Sequence, residues 1–149
     1  MLGVEIDGQF HTVAFSNGHT FDASAQTAEI ITKDHPANCA DYEVTGFSWS
    51  LTTDNLVEDS KTAVKCGYNV MMKAAKEMKP INVRLAYFEE ANTMDAVTGT
   101  NNMDWHEIAD PVVVVSGQAI ITNLELNAPN KQNATYKATL SGKGPFVVE

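Results

Sequence analysis

Apolar and polar residues alternate along most of this chain, and one stretch departs from that pattern for a helical repeat. The clearest alternation lies in residues 112–142. VVVVSGQAIITNLELNA and ATYKATLSG predict two long strands, joined by the turn residues Pro129-Asn130-Lys131-Gln132-Asn133. Val112 to Val115 are β-branched, which suits a pleated surface and disfavours a helix. Beyond Gly117, alternation sends Ile120, Thr122, Leu124 and Leu126 one way and Ile121, Asn123 and Glu125 the other. On the return strand Ala134, Tyr136, Ala138 and Leu140 oppose Thr135, Lys137, Thr139 and Ser141. Such strands rest one face on a core and turn the other to water.

Upstream, Asp7-Gly8 flanked by alternating hydrophobics predicts a hairpin of residues 2–6 and 9–15. Asn17-Gly18 marks a second turn, and His19 to Thr32 a strand. Lys33 to Ala40 reads as a loop, and residues 42–53 as a further strand. Within that strand Tyr42 and Val44 are out of phase with Phe47, Trp49 and Leu51, which predicts a bulge or bend at Gly46. Residues 60–79 carry the helix: Val64, Tyr68, Met71, Met72, Ala75 and Met78 repeat at three and four. Asp59 or Ser60 would cap it, Gly67 would weaken its middle, and Pro80 would stop it. Residues 81–88 read as a strand against that helix, residues 89–110 as a long acidic loop, and residues 146–148 as a short pairing strand. The order predicts one mainly β domain over residues 1–149: an antiparallel sandwich or barrel of two packed sheets with one flanking helix.

Composition narrows the function. The 149 residues carry a net charge of −9. No basic residue falls between Arg84 and Lys131, a span holding Glu89, Glu90, Asp95, Asp104, Glu107, Asp110 and Glu125. This opposes a phosphate-binding role, which needs Lys or Arg to displace counterions. No apolar run reaches the ~20 residues of a membrane helix, and the first residues do not read as a signal peptide. Cys39 and Cys66 read as free thiols.

Catalytic chemistry finds little support. His11, His19, His35 and His106 lack a second ligand at metal spacing, and Asp104-His106-Glu107 reads as a solvated histidine among acids. No serine sits in a GxSxG frame, and Gly142-Lys143-Gly144 lacks the approach of a phosphate loop. No enzyme activity, cofactor or metal is expected.

Three stretches carry a family resemblance. Glu29-Ile30-Ile31-Thr32-Lys33-Asp34, Gly46-Phe47-Ser48-Trp49-Ser50-Leu51 and Asp54-Asn55-Leu56 form the first. The helix running into Lys79-Pro80-Ile81-Asn82-Val83 is the second. Gly117-Gln118-Ala119-Ile120-Ile121-Thr122-Asn123-Leu124, Asn133-Ala134-Thr135-Tyr136 and Leu140-Ser141-Gly142-Lys143-Gly144 form the third. Together they resemble the major tail protein, or tail tube protein, of long-tailed phages. The resemblance implies a structural virion protein. Its subunits would form stacked hexameric rings, with inner sheets joined around a channel for DNA during ejection. It implies a homo-oligomer in the virion tail, made in the host bacterial cytoplasm, with tape measure and tail terminator or baseplate partners and no membrane. DNA would pass without specific binding. Asn123, Glu125 and Thr135 are lumen-facing candidates; Met94, Met103, Trp105, Ile108, Phe146 and Val148 are subunit-contact candidates. Two alternatives stand beside it: a tube subunit of a contractile injection or type VI secretion system, and a stand-alone β-sandwich binding module using the loop of residues 89–110.

Overall fold

The computed structural model describes residues 1–13, 15–30, 41–57, 66–87 and 113–148. Its elements in chain order are β1 (Leu2–Ile6), β2 (Gln9–Thr12), β3 (Ser16–Ile30), β4 (Asp41–Leu56), α1 (Tyr68–Glu77), β5 (Ile81–Tyr87), β6 (Val113–Asn127) and β7 (Thr135–Val148). All the pairings are antiparallel, and the strand order is β2-β1-β5-β6-β7-β4-β3. The mainly β class with one helix is as expected, and pairing runs unbroken through one sheet.

That sheet cannot be flat. β2 and β3 sit at opposite ends of its order, yet only residues 13–15 join them. Seven strands spaced ~4.8 Å apart would set the edges roughly 29 Å apart. The link from Thr12 to Ser16 reaches about 14 Å at most. The sheet therefore curls until its ends approach, and one sheet supplies both layers of a barrel-like sandwich. Val13 N–H donates to the Leu2 carbonyl and Leu56 N–H to that of Phe15, so the β1–β2 and β3–β4 ladders run right up to this link.

Local chemistry sets the turns and registers. Asp7 and Gly8 both have positive φ, as the two-residue β1–β2 hairpin requires. Asn17-Gly18 is not a turn: it lies inside β3, where the register slips between Ser16 and Gly18. The bulge expected near Gly46 is present, with Thr45 the extra residue between pairs Gln26–Gly46 and Thr27–Val44. A second bulge at Thr122 alters the predicted phase of β6. Ile121 and Ala119 turn to the core on one side of it and Leu124 on the other, rather than Ile120, Thr122 and Leu124 together. Residues 143–145 are looped out of the β7 ladder, and the strand then resumes to Val148 opposite Val115, Ser116 and Gly117. The short strand expected at residues 146–148 is thus the end of β7.

The helix begins later than the periodicity suggests. Gly67 stands at its N-cap with extended backbone, so it does not interrupt the helix. The predicted first turns, with Asp59 and Ser60, lie outside the described residues. α1 ends where Met78 turns left-handed and donates its N–H to the Ala75 carbonyl. It buries Met71 against a core of Leu2, Val4, Leu51, Tyr136 and Leu140. Tyr68 stacks edge-on to Tyr136 at 5.3 Å.

Candidate functional site: a hydroxyl-lined sheet face

The first and third resemblance stretches meet around one side chain. Trp49 on β4 is 5% exposed. Its indole lies over Gly142 of β7 and Gly117 of β6, where a Cβ would fall 2.1 Å and 2.8 Å from the ring. No side chain larger than hydrogen fits at either position without displacing the ring. Indole Nε1–H donates to the Gly144 carbonyl at 2.9 Å. Phe21 and Phe146 close round the ring with centroids 5.9 Å and 6.0 Å away. The glycines at sequence distance from Trp49 are therefore the seat of the tryptophan.

The opposite face of the same strands is polar. Directly paired residues in an antiparallel sheet share a face. Asp54, Lys137 and Glu125 form one cross-strand row; Thr20, Thr52, Thr139 and Asn123 form the next; Asp22, Ser50, Ser141 and Ile120 form a third. Ser24 and Ser48 extend it, their hydroxyls 3.2 Å apart. The bulged Thr122 donates to the Thr139 carbonyl and lies 3.2 Å from the Ser141 hydroxyl. In these rows the ionisable side chains are Asp22, Asp54, Glu125 and Lys137. Three carboxylates outnumber one lysine on a bed of neutral hydroxyls and amides.

All three lumen candidates lie on this face. Asn123 pairs with Thr139, Glu125 with Lys137, and Thr135 with Asn127. Sequence reading did not connect them to β3 and β4. The available signal was the hydroxyl on every second residue of Ser48-Trp49-Ser50-Leu51-Thr52. Glu125, Thr135 and Lys137 also border a depression of about 280 Å³ with Asp54, Asn55 and Asn127. Of the contact candidates, Phe146 packs on its own chain's Phe21, Phe47 and Trp49, while Val148 is exposed. Met94, Met103, Trp105 and Ile108, with the loop of residues 89–110, lie outside the described residues.

One histidine sits beneath this face. Thr53 donates its hydroxyl to Asn55 Oδ1 at 2.8 Å. It therefore accepts from His19 Nδ1–H at 3.0 Å, leaving Nε2 to accept from the Ser16 hydroxyl at 3.0 Å. Burial, followed by the charge of the Met1 amino group, lowers the His19 pKa to about 4. The ring is neutral and structural at neutral pH. Among the described residues, no group of three His, Cys, Asp or Glu side chains could hold a metal. None of the described helices is long and apolar enough to cross a membrane.

Known proteins share this architecture. The tail of an empty gene transfer agent particle, refined with C6 symmetry, superposes with a TM-score of 0.71 at 12% identity, covering 100% of this chain and 94% of that one. The SPP1 tail tube gives 0.65 at 13% identity, covering 99% and 74%. The six-fold symmetrised baseplate of the anti-feeding prophage gives 0.63 at 9%, covering 99% and 90%. At these identities the likeness is one of fold. No curated protein sequence matches. A family model described as "Phage tail tube protein" matches residues 2–148, and so this chain belongs to the phage tail tube protein family, as a structural subunit of a tube.

Proposed function

We propose that this one-domain subunit assembles into stacked rings of six that enclose a bore lined by the hydroxyl face of β3, β4, β6 and β7. The observation that carries this reading is the composition of that face, with Lys137 lying between Asp54 and Glu125. Double-stranded DNA binds protein by releasing counterions to Lys and Arg. A wall of hydroxyls, amides and surplus carboxylates holds the duplex hydrated and lets it slide during ejection. Asn123, Glu125 and Thr135 line that wall. The free edge of β3, 15 residues long and paired only with β4 among the described strands, supports closure between neighbouring copies.

In this reading the protein performs no catalysis and binds no cofactor. It resides in the virion tail after synthesis in the bacterial cytoplasm. Its partners are further copies, a tape measure protein, and terminator or baseplate proteins; Val148 and Phe146 serve contacts between copies. A second reading, a tube subunit of a contractile injection device, draws support from the likeness to the anti-feeding prophage baseplate and to the sheath/tube terminator of an extracellular contractile injection system. Cryo-electron microscopy of the concentrated protein tests both. Stacked six-fold rings with Glu125 and Lys137 on the inner wall are expected. A persistent monomer, or a tube with this face outward, defeats the proposal.

A further inference from the structure

The β3–β4 hairpin runs well past the core as an arm, and the arm carries apolar residues that the described part of the chain leaves largely exposed. Tyr42, Val44 and Phe47 are 59%, 64% and 58% exposed. Strict alternation would place Tyr42 and Val44 on the face opposite Phe47, Trp49 and Leu51. The extra residue, Thr45, restores the phase. Its hydroxyl donates to the Gln26 carbonyl across the bulge at 3.2 Å. Pairs Ala25–Phe47, Thr27–Val44 and Glu29–Tyr42 consequently continue the face that holds Trp49. The bulge aligns a stripe that the described residues leave more than half exposed, with Phe146 reaching only its Phe47 end. A carboxylate shares this face: Glu29, directly across from Tyr42, is exposed.

A complementary surface lies on α1 and the residues just after it. Met72 and Met78 are exposed there, among exposed Lys73, Lys76 and Lys79, of which Lys79 pairs with Glu77 at 3.2 Å. Methionine adapts its shape to an incoming apolar surface. Among the described residues both patches are exposed, so neither covers the other.

We infer that the arm of one copy docks on the α1 surface of a second copy, with Tyr42, Val44 and Phe47 over the methionines and Glu29 against Lys73 and Lys76. The contact joins two different patches, so it is heterologous and propagates to a ring or a stack. It rests on the tube reading and adds the identity of the surfaces that meet.

Two experiments decide it. In a Cys39→Ser background, Val44→Cys protein mixed with Met72→Cys protein under mild oxidant should give a disulfide-linked dimer well beyond that of either alone. Separately, Glu29→Lys and Lys76→Glu should each raise the critical concentration for assembly about tenfold, the effect of 1.4 kcal/mol. Combined, they should return it to within about threefold of the native value, because the reversed charges again face each other. Deleting Thr45 should abolish assembly while the monomer melts as before. Native tubes without the mixed crosslink, or variants that assemble like the native chain, overturn the arm–helix contact and leave the tube reading standing. A native chain monomeric at every concentration removes both.

Discussion

At the base of the β3–β4 hairpin Trp49, Leu51 and Thr53 point into the core, and each is buried. Further along the same strand, and on the same face, Tyr42, Val44 and Phe47 stand more than half exposed. The residue types and the alternation are alike. The difference is the cover: α1, β1, β6 and β7 bring side chains over the base, while on the arm Phe146 reaches Phe47 and the described elements leave Tyr42 and Val44 open. An apolar stripe therefore specifies a face that wants burial, without specifying whether the cover comes from the same chain. In a subunit built to assemble, the two cases occur on one strand.

The contrast can be tested from the base outward. Gly142→Val should expel the Trp49 indole from its seat and cost about 3–5 kcal/mol, similar to loss of a buried aromatic. Urea unfolding of the monomer measures it; a loss under 1 kcal/mol would show that the ring has room to move. Leu140→Ala, at a fully buried site on the same core, should cost about 3 kcal/mol with an unchanged m-value.

His19 gives a pH-dependent version of the same test. Its folded pKa lies below the ordinary value of 6.5, so the unfolded chain binds the proton more readily. Its contribution is complete above pH 6.5 and is lost as pH falls toward 4, by up to about 2 kcal/mol after allowance for partial solvent access. A His19→Asn variant should show a flatter stability profile across that window. The smallest effect belongs to the arm: Val44→Ser or Tyr42→Ser should leave monomer stability within about 0.5 kcal/mol, since those side chains contact little within the chain. A loss of 2 kcal/mol in either would mean that the arm is part of the folding core.

Legibility followed the range of the interactions. The β1–β2 turn was readable because Asp-Gly satisfies two positive φ values on its own. The bulge at Thr45 was readable because the phase of the apolar residues changes at that point. Asn17-Gly18 misled because the same residue types also serve a bulge inside a strand. The phase of β6 misled because the Thr122 bulge is held by Thr139 and Ser141 of another strand. Of the candidate site, Asn123, Glu125 and Thr135 were readable as polar positions on two neighbouring strands. Thr20, Ser50 and Thr52 joined them only through pairings across the sheet.

By itself the sequence determined which stretches are strands, where the helix ends and which side of β4 and β7 is apolar. Those depend on backbone preference and on side chains a few residues apart. Tertiary structure decided that seven strands make one curled sheet, that Trp49 sits on Gly117 and Gly142, and that hydroxyls from four strands share a face. Each of these sets residues from distant parts of the chain side by side. The force that does so, close packing around a common core, has no period along the sequence.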